Sequence, residues 1–330
     1  MARIRSILPA CCVAAGLSLA TTSAGSAADV ALKARPAPVA PVWQPSLTVY
    51  SLFDWITLHN VFPGRESKSD IYQSTNGFNY TLTPDWLVGA GFIYGHSNNE
   101  LIYLGPGAES DSDGVTGFLT TAYTIPNLFT VGGAVGYGGS KTHQTRFVMG
   151  VLSTSDQDSK TWFVSGYVSK LLQYGNLYAT PQVRVLYREN ETDAYVESIG
   201  TPNPAEKSTL GQLAAGSQFS YAIPTSAGWT VYPTAELFYL YDFDLPLYQL
   251  DRDAFDLKAG LSATSGNWAM GAAFQTILGR DEYDKYYGVR AFLSYRFGGA
   301  PSATSGSPLG VTTGGAFGDP FIYGRPRPFN

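Results

Sequence analysis

Five tight turns in this chain are each followed within two residues by a large aromatic. Trp86 follows Thr83-Pro84-Asp85, Phe129 follows Pro126-Asn127, and Tyr178 follows Gln173 to Asn176. Trp229 follows Pro224 to Gly228, and Trp268 follows Ser265-Gly266-Asn267. Longer polar segments separate these turns. A closed antiparallel barrel in a membrane has this rhythm, because short turns gather at one side, long connections at the other, and aromatics ring the lipid interface.

The period-two runs between the turns predict twelve strands. They lie near Leu47 to Ile56, Ser69 to Leu82, Trp86 to Asn98, Asp113 to Ile125, Leu128 to Lys141, Ser159 to Leu172, Leu177 to Asn190, Ser208 to Ile223, Trp229 to Phe243, Asp253 to Thr264, Trp268 to Gly279 and Lys285 to Phe297. Most exceed the roughly 9 to 11 residues that a tilted strand needs to cross a bilayer. The predicted fold class is therefore all-β, a twelve-stranded antiparallel transmembrane β-barrel of the outer membrane. An even strand number returns both termini to one side, which tight turns mark as periplasmic. The connections Leu58 to Lys68, Asn99 to Ser112, Thr142 to Asp158, Glu191 to Lys207, Asp244 to Arg252 and Arg280 to Asp284 are then expected as extracellular loops.

Side-chain parity tests this, since Arg or Lys on the lipid face near the midplane costs about 2 to 4 kcal/mol. In the last segment Tyr287, Val289, Ala291, Leu293, Tyr295 and Phe297 form one uncharged face, opposite Gly288, Arg290, Phe292, Ser294 and Arg296. Uncharged faces recur from Trp268 to Leu278, Leu177 to Tyr187, Trp229 to Tyr239 and Phe255 to Ala263. Trp86, Phe129, Trp229 and Trp268 carry outward parity and are expected as a periplasmic aromatic girdle; Tyr178 does not. The first, second and sixth segments have mixed faces, so their ends are less defined by pattern.

Composition excludes the competing classes. The longest apolar run, Ile7 to Ala20, is the sole stretch approaching the roughly 20 residues of a spanning helix. Charged residues are 14 %, against about 25 % in ordinary soluble domains. Aromatics also reach 14 %, which opposes disorder. Residues 1–28 read as a signal peptide, with Arg3 and Arg5 ahead of the apolar run and small residues to Ala28. Both cysteines, Cys11 and Cys12, fall within it. Of 21 basic residues, losing Arg3 and Arg5 leaves 19 against 26 acidic, a net of −7. Nucleic acid is not expected as a partner, for no basic stripe is present to neutralise phosphates. Residues 29–46 form a Pro-rich linker, 47–297 the barrel, and 298–330 a flexible tail rich in Gly, Pro and Ser.

The segments Leu87-Val-Gly-Ala-Gly-Phe-Ile-Tyr-Gly95, Phe129-Thr-Val-Gly-Gly-Ala-Val-Gly-Tyr137, Leu177 to Tyr187, Val231-Tyr-Pro-Thr-Ala-Glu-Leu237 and Tyr287 to Phe297 together resemble the translocator barrel of autotransporters, the type V secretion family. The likeness covers about residues 69–297. It implies a barrel of twelve strands that exports an N-terminal passenger, and a closing strand, Tyr287, Val289, Ala291, Leu293, Tyr295 and Phe297, read by the barrel-assembly machinery. The short linker leaves no room for a passenger within this sequence, and the tail displaces the terminal Phe from the end; a translocator-type barrel without its own passenger is the expectation.

Inside the barrel, Arg184, Glu236, Lys258, Gln275 and Arg290 share inward parity and similar distance from the turns, which predicts a polar belt in the lumen. Such a belt either fills the lumen with ion pairs or forms a charged constriction of a small passive pore. No catalytic, cofactor or metal site is expected. His59, His96 and His143 lack the paired spacing of a metal site. Gly95-His96-Ser97-Asn98-Asn99 resembles the signature of outer-membrane phospholipases without its spacer and final Gly, and adjacent strand residues face opposite sides. An omptin-like protease needs Asp and His clustered at loop roots, which sequence alone does not place. The expected role is structural or surface-related, with a porin-like channel and an adhesin as alternatives. Expected partners are outer-membrane lipids and lipopolysaccharide, the latter through divalent cations at Glu100, Glu109, Asp111, Asp156 and Asp158, with the barrel a monomer.

Overall fold

Twelve long strands pair antiparallel with their neighbours, and the last pairs with the first, in a computed structural model of the chain that describes residues 44–61, 66–148, 150–245, 251–281 and 283–298. In chain order they are β1 (Ser46–Asn60), β2 (Ser67–Thr81), β3 (Trp86–Glu100), β4 (Glu109–Ile125), β5 (Phe129–Val148) and β6 (Val151–Ser169). Then follow β7 (Leu177–Thr192), β8 (Glu206–Tyr221), β9 (Thr230–Asp244), β10 (Asp253–Ser265), β11 (Trp268–Leu278) and β12 (Tyr283–Gly298). The seam between β1 and β12 runs from Ser46 opposite Gly298 to Asn60 opposite Tyr283. Closure is obligatory in hydrocarbon, where an unpaired strand edge leaves main-chain groups without water. The signal peptide expected at 1–28, the linker before residue 44 and the tail after Gly298 lie outside the described residues.

The tight turns are built by residues that accept a left-handed backbone. Asn127 takes φ 63° between β4 and β5, and Gly266 takes φ 54° between β10 and β11. Asn and Gly carry the smallest penalty there. Short rungs tighten two other turns: Leu172–Tyr174 folds back on Leu177 to Ala179, and Ile223–Pro224 pairs with the start of β9. At the opposite end the connections are more ordered than the sequence suggests. Val148 pairs with Val151, so β5 and β6 meet in a hairpin where a loop from Thr142 to Asp158 is expected. Likewise β3 reaches Glu100 and β4 begins at Glu109, with one 3-10 turn at Ile102–Leu104 between them in place of a loop from Asn99 to Ser112. Between Glu191 and Lys207, β7 runs on to Thr192 and β8 starts at Glu206, and Tyr195–Val196 pairs with Pro202–Asn203. The reason these strands escape a pattern search is physical. Beyond the bilayer both sheet faces are polar, as with Ser110 and Gln144 inward against Asp111 and His143 outward, so alternation loses its contrast.

The outward face of β5 is apolar from Phe129 to Tyr137, which at about 3.3 Å per residue and roughly 40° tilt spans a height of about 23 Å, close to the apolar band of an outer-membrane barrel. The rest of β5 then stands roughly 25 Å beyond that band.

The core is the lumen. Tyr50, Ile93, Phe118, Ala134, Phe163 and Leu186 form one buried cluster along the inner wall from β1 to β7. Glycines make room for its rings: Phe163 lies over its cross-strand partner Gly136, and Tyr167 over Gly132. A Cβ at residue 136 would come within 2.2 Å of the Phe163 ring. A second cluster joins Ile56, Leu58, Ile71 and Tyr286 nearer the long-connection end, and a third joins Ala214, Phe238, Leu240 and Ala254. Overpacking of this kind costs about 1 to 3 kcal/mol. Gly136→Val should therefore lower the urea midpoint of the refolded barrel and reduce its heat-modifiable folded band on gels, whereas the outward Gly166→Ala, which meets nothing closer than 3.8 Å, should leave both unchanged.

Candidate functional site: the charged side of the lumen

The half of the inner wall not lined by the aromatic cluster carries ions. Asp54 sits on β1 because the inward parity of that strand passes through Tyr50, Asp54, Ile56 and Leu58. It faces Arg290 of β12 directly across the closing seam. The guanidinium grips it at two points, Nε to Oδ1 at 2.5 Å and Nη2 to Oδ2 at 3.1 Å. A two-point grip fixes geometry as well as charge, which a lysine does not offer.

The second centre is Asp256 of β10. Lys258, two residues on and on the same face, places Nζ 3.2 Å from one Asp256 oxygen and 3.7 Å from Glu236 of β9. Gln275 of β11 donates from Nε2 to Asp256 at 3.2 Å. Arg184 reaches Asp256 from β7 at 3.5 Å, passing over β8 and β9, and its guanidinium lies 4.5 Å above the Phe238 ring. The Arg184 contact thus ties strands that share no main-chain bonds, and its cation is held by a carboxylate and an aromatic face together. The structure brings Arg184, Glu236, Lys258 and Gln275 together around Asp256, and pairs Arg290 with Asp54. Both aspartates are absent from the belt expected from sequence. Parity marks Asp256, which shares a face with Lys258, while Asp54 is masked by the mixed faces of β1.

Two further ionic knots lie toward the long-connection end. Arg280 binds Asp242 at 2.6 Å, and Gln212 donates to the same carboxylate at 2.9 Å. Glu197, in the folded connection after β7, receives Arg146 at 2.5 Å, Ser153 at 2.8 Å and Asn203 at 3.2 Å. That carboxylate draws the connection against the inner face of β5 and β6.

Outside, Trp86, Phe129 and Trp268 stand exposed at the tight-turn end and Trp229 is half-exposed there. Trp86 donates Nε1 to Thr121 at 2.9 Å, and Trp268 meets Tyr295 edge-on at 4.7 Å, with Phe297 beyond it at 4.6 Å from Tyr295. Tyr287, Val289, Ala291, Leu293 and Phe297 of the closing strand are exposed on the outer face. The three histidines meet carboxylates on the outer surface: His59 with Glu66 at 3.2 Å, His96 with Asp113 at 3.0 Å and His143 with Asp156 at 2.7 Å. Asp156 beside His143 is a contact the sequence alone does not place. No cluster of three or more potential metal ligands occurs among the described residues.

Residues 63–276 match the family model described as the autotransporter beta-domain. The chain belongs to that family. It is an outer-membrane β-barrel of the translocator type, with the twelve strands that its alternation and turns predict. Its fold is similar to the translocator domain of the autotransporter NalP from Neisseria meningitidis, at 19 % identity and TM-score 0.59 over 77 % of this chain and 88 % of that one. The β domain of the Bordetella autotransporter BrkA gives 15 % identity and TM-score 0.61 over 77 % and 99 %. The transport unit of AIDA-I from Escherichia coli gives 11 % identity and TM-score 0.51 over 79 % and 92 %. No curated protein matches the sequence.

Removing one partner from a buried ion pair costs about 3 to 5 kcal/mol, more than removing both. Arg290→Ala should thus lower the urea midpoint further than the joint Arg290→Met, Asp54→Leu replacement, measured by tryptophan fluorescence of the refolded barrel.

Proposed function

We propose that this barrel is a self-sealed structural scaffold of the outer membrane, closed to solutes by its own side chains. The tight-turn end faces the periplasm, the export signal at 1–28 is cleaved, and the closing strand from Tyr287 to Phe297 is the segment read by the barrel-assembly machinery. Glu100, Glu109, Asp111, Asp156 and Asp158 all have outward parity near the long-connection end, where lipopolysaccharide would share divalent cations with them.

One observation carries the sealed reading. Inward side chains at the level of the belt are shielded from water: Ile93 is 0 % exposed, Phe163 1 %, Asp54 2 % and Asp256 4 %. Side chains that line an open aqueous channel face water, whereas these face one another. Eight strands enclose a bore that ordinary side chains fill, so twelve demand longer ones. Arginine, lysine, tyrosine and phenylalanine supply that reach here, and paired charges let the filling be polar without leaving an ion unsolvated. The same belt does not favour a selective constriction, since a conducting ring presents charges to passing ions and these present them to each other.

Refolded protein in planar bilayers should give no stepwise conductance at loads where open porins of similar size do. Unitary steps whose size changes on Arg184→Ala or Arg290→Ala would replace the scaffold with a small passive pore.

A further inference from the structure

One carboxamide interrupts the lipid-facing surface. On β2 the outward residues run Tyr72, Ser74, Asn76, Phe78 and Tyr80, which sets a carboxamide midway between the two tyrosines that bound the apolar band. Among the described residues no other Asn or Gln faces outward within that band. Asn76 donates from Nδ2 to Ser74 at 2.8 Å, and its Oδ1 accepts no hydrogen bond. Its register partner on β1 is Ser51, also outward, whose hydroxyl has no partner. Around them stand Phe53, Phe78 and Phe92, all exposed. A hydroxyl and an amide oxygen without partners are costly in hydrocarbon, where water is not available to satisfy them.

From this we infer that the β1–β2 face is the contact surface of a homodimer, two copies of this barrel meeting about a two-fold axis near Asn76. A carboxamide is its own complement, because it carries both a donor and an acceptor. Two Asn76 side chains related by a two-fold axis therefore exchange hydrogen bonds with each other, which a lipid acyl chain does not offer either of them. Polar side chains act as such glue between membrane segments. The three phenylalanines ring the polar centre and shield it from acyl chains and water. The assembly departs from the single barrel expected from sequence. It rests on the barrel being embedded in lipid, not on whether the lumen conducts.

The test uses the full chain with Cys11→Ala and Cys12→Ala, so that one introduced thiol reports proximity. Ser51→Cys, which keeps Asn76, should give an oxidant-dependent band of twice the mass in native outer membranes, while Leu237→Cys on the far wall should not. Equal crosslinking at both positions, or none at Ser51→Cys, would overturn the dimer. Asn76→Leu should raise the dissociation constant of the dimer about tenfold in sedimentation equilibrium in detergent, with heat-modifiable migration unchanged. An unaltered constant would show that the amide is not the contact.

Discussion

The hydrogen-bonded seam between β1 and β12 is the constraint on which the rest of the molecule depends. A sheet in hydrocarbon has no tolerated edge, so the first strand must find the last across nearly the whole described chain. Once the ring closes, parity sorts every residue. Odd or even position alone decides whether a side chain meets lipid or lumen, and within the bilayer the chain keeps its charges for the second.

Closure also creates the problem that the interior solves. A bore of twelve strands is wide, and polar groups placed inside it need partners once water is displaced. The two sides of the lumen answer differently. From β3 to β7 glycines withdraw so that rings lie flat on the neighbouring strand, as at Gly136 and Phe163. From β9 round to β1 charges pair, and Asp54 with Arg290 places one pair across the seam itself. A bidentate bond at that site adds side-chain chemistry to the main-chain ladder where the two ends of the barrel join.

The fold is legible wherever one face of a strand touches lipid. The alternation from Trp268 to Leu278 or Tyr287 to Phe297 has the contrast of hydrocarbon against lumen, and strand identity follows from it. Past the bilayer that contrast ends, so Glu109 to Ser112, Thr142 to Val148 and Val151 to Asp158 read as loops although they continue the sheet. The charged belt is partly legible, because inward parity and depth single out Arg184, Glu236, Lys258, Gln275 and Arg290. Which acid binds which base is not. Arg184 meets Asp256 three strands away, and such a contact is set by barrel circumference and tilt, quantities that no local pattern encodes.

The hairpin of β5 and β6 rises far past the bilayer as continuous sheet, and its crest exposes Phe147, Val151 and Leu152. In the proposed orientation that crest is the outermost ordered part of the described chain, so an antibody or a phage arriving from the medium touches it before the lipid. Because Glu197 braces the inner side of the prong, what such a visitor meets is a fixed shape, and recognition there selects on surface sequence with little entropy to overcome.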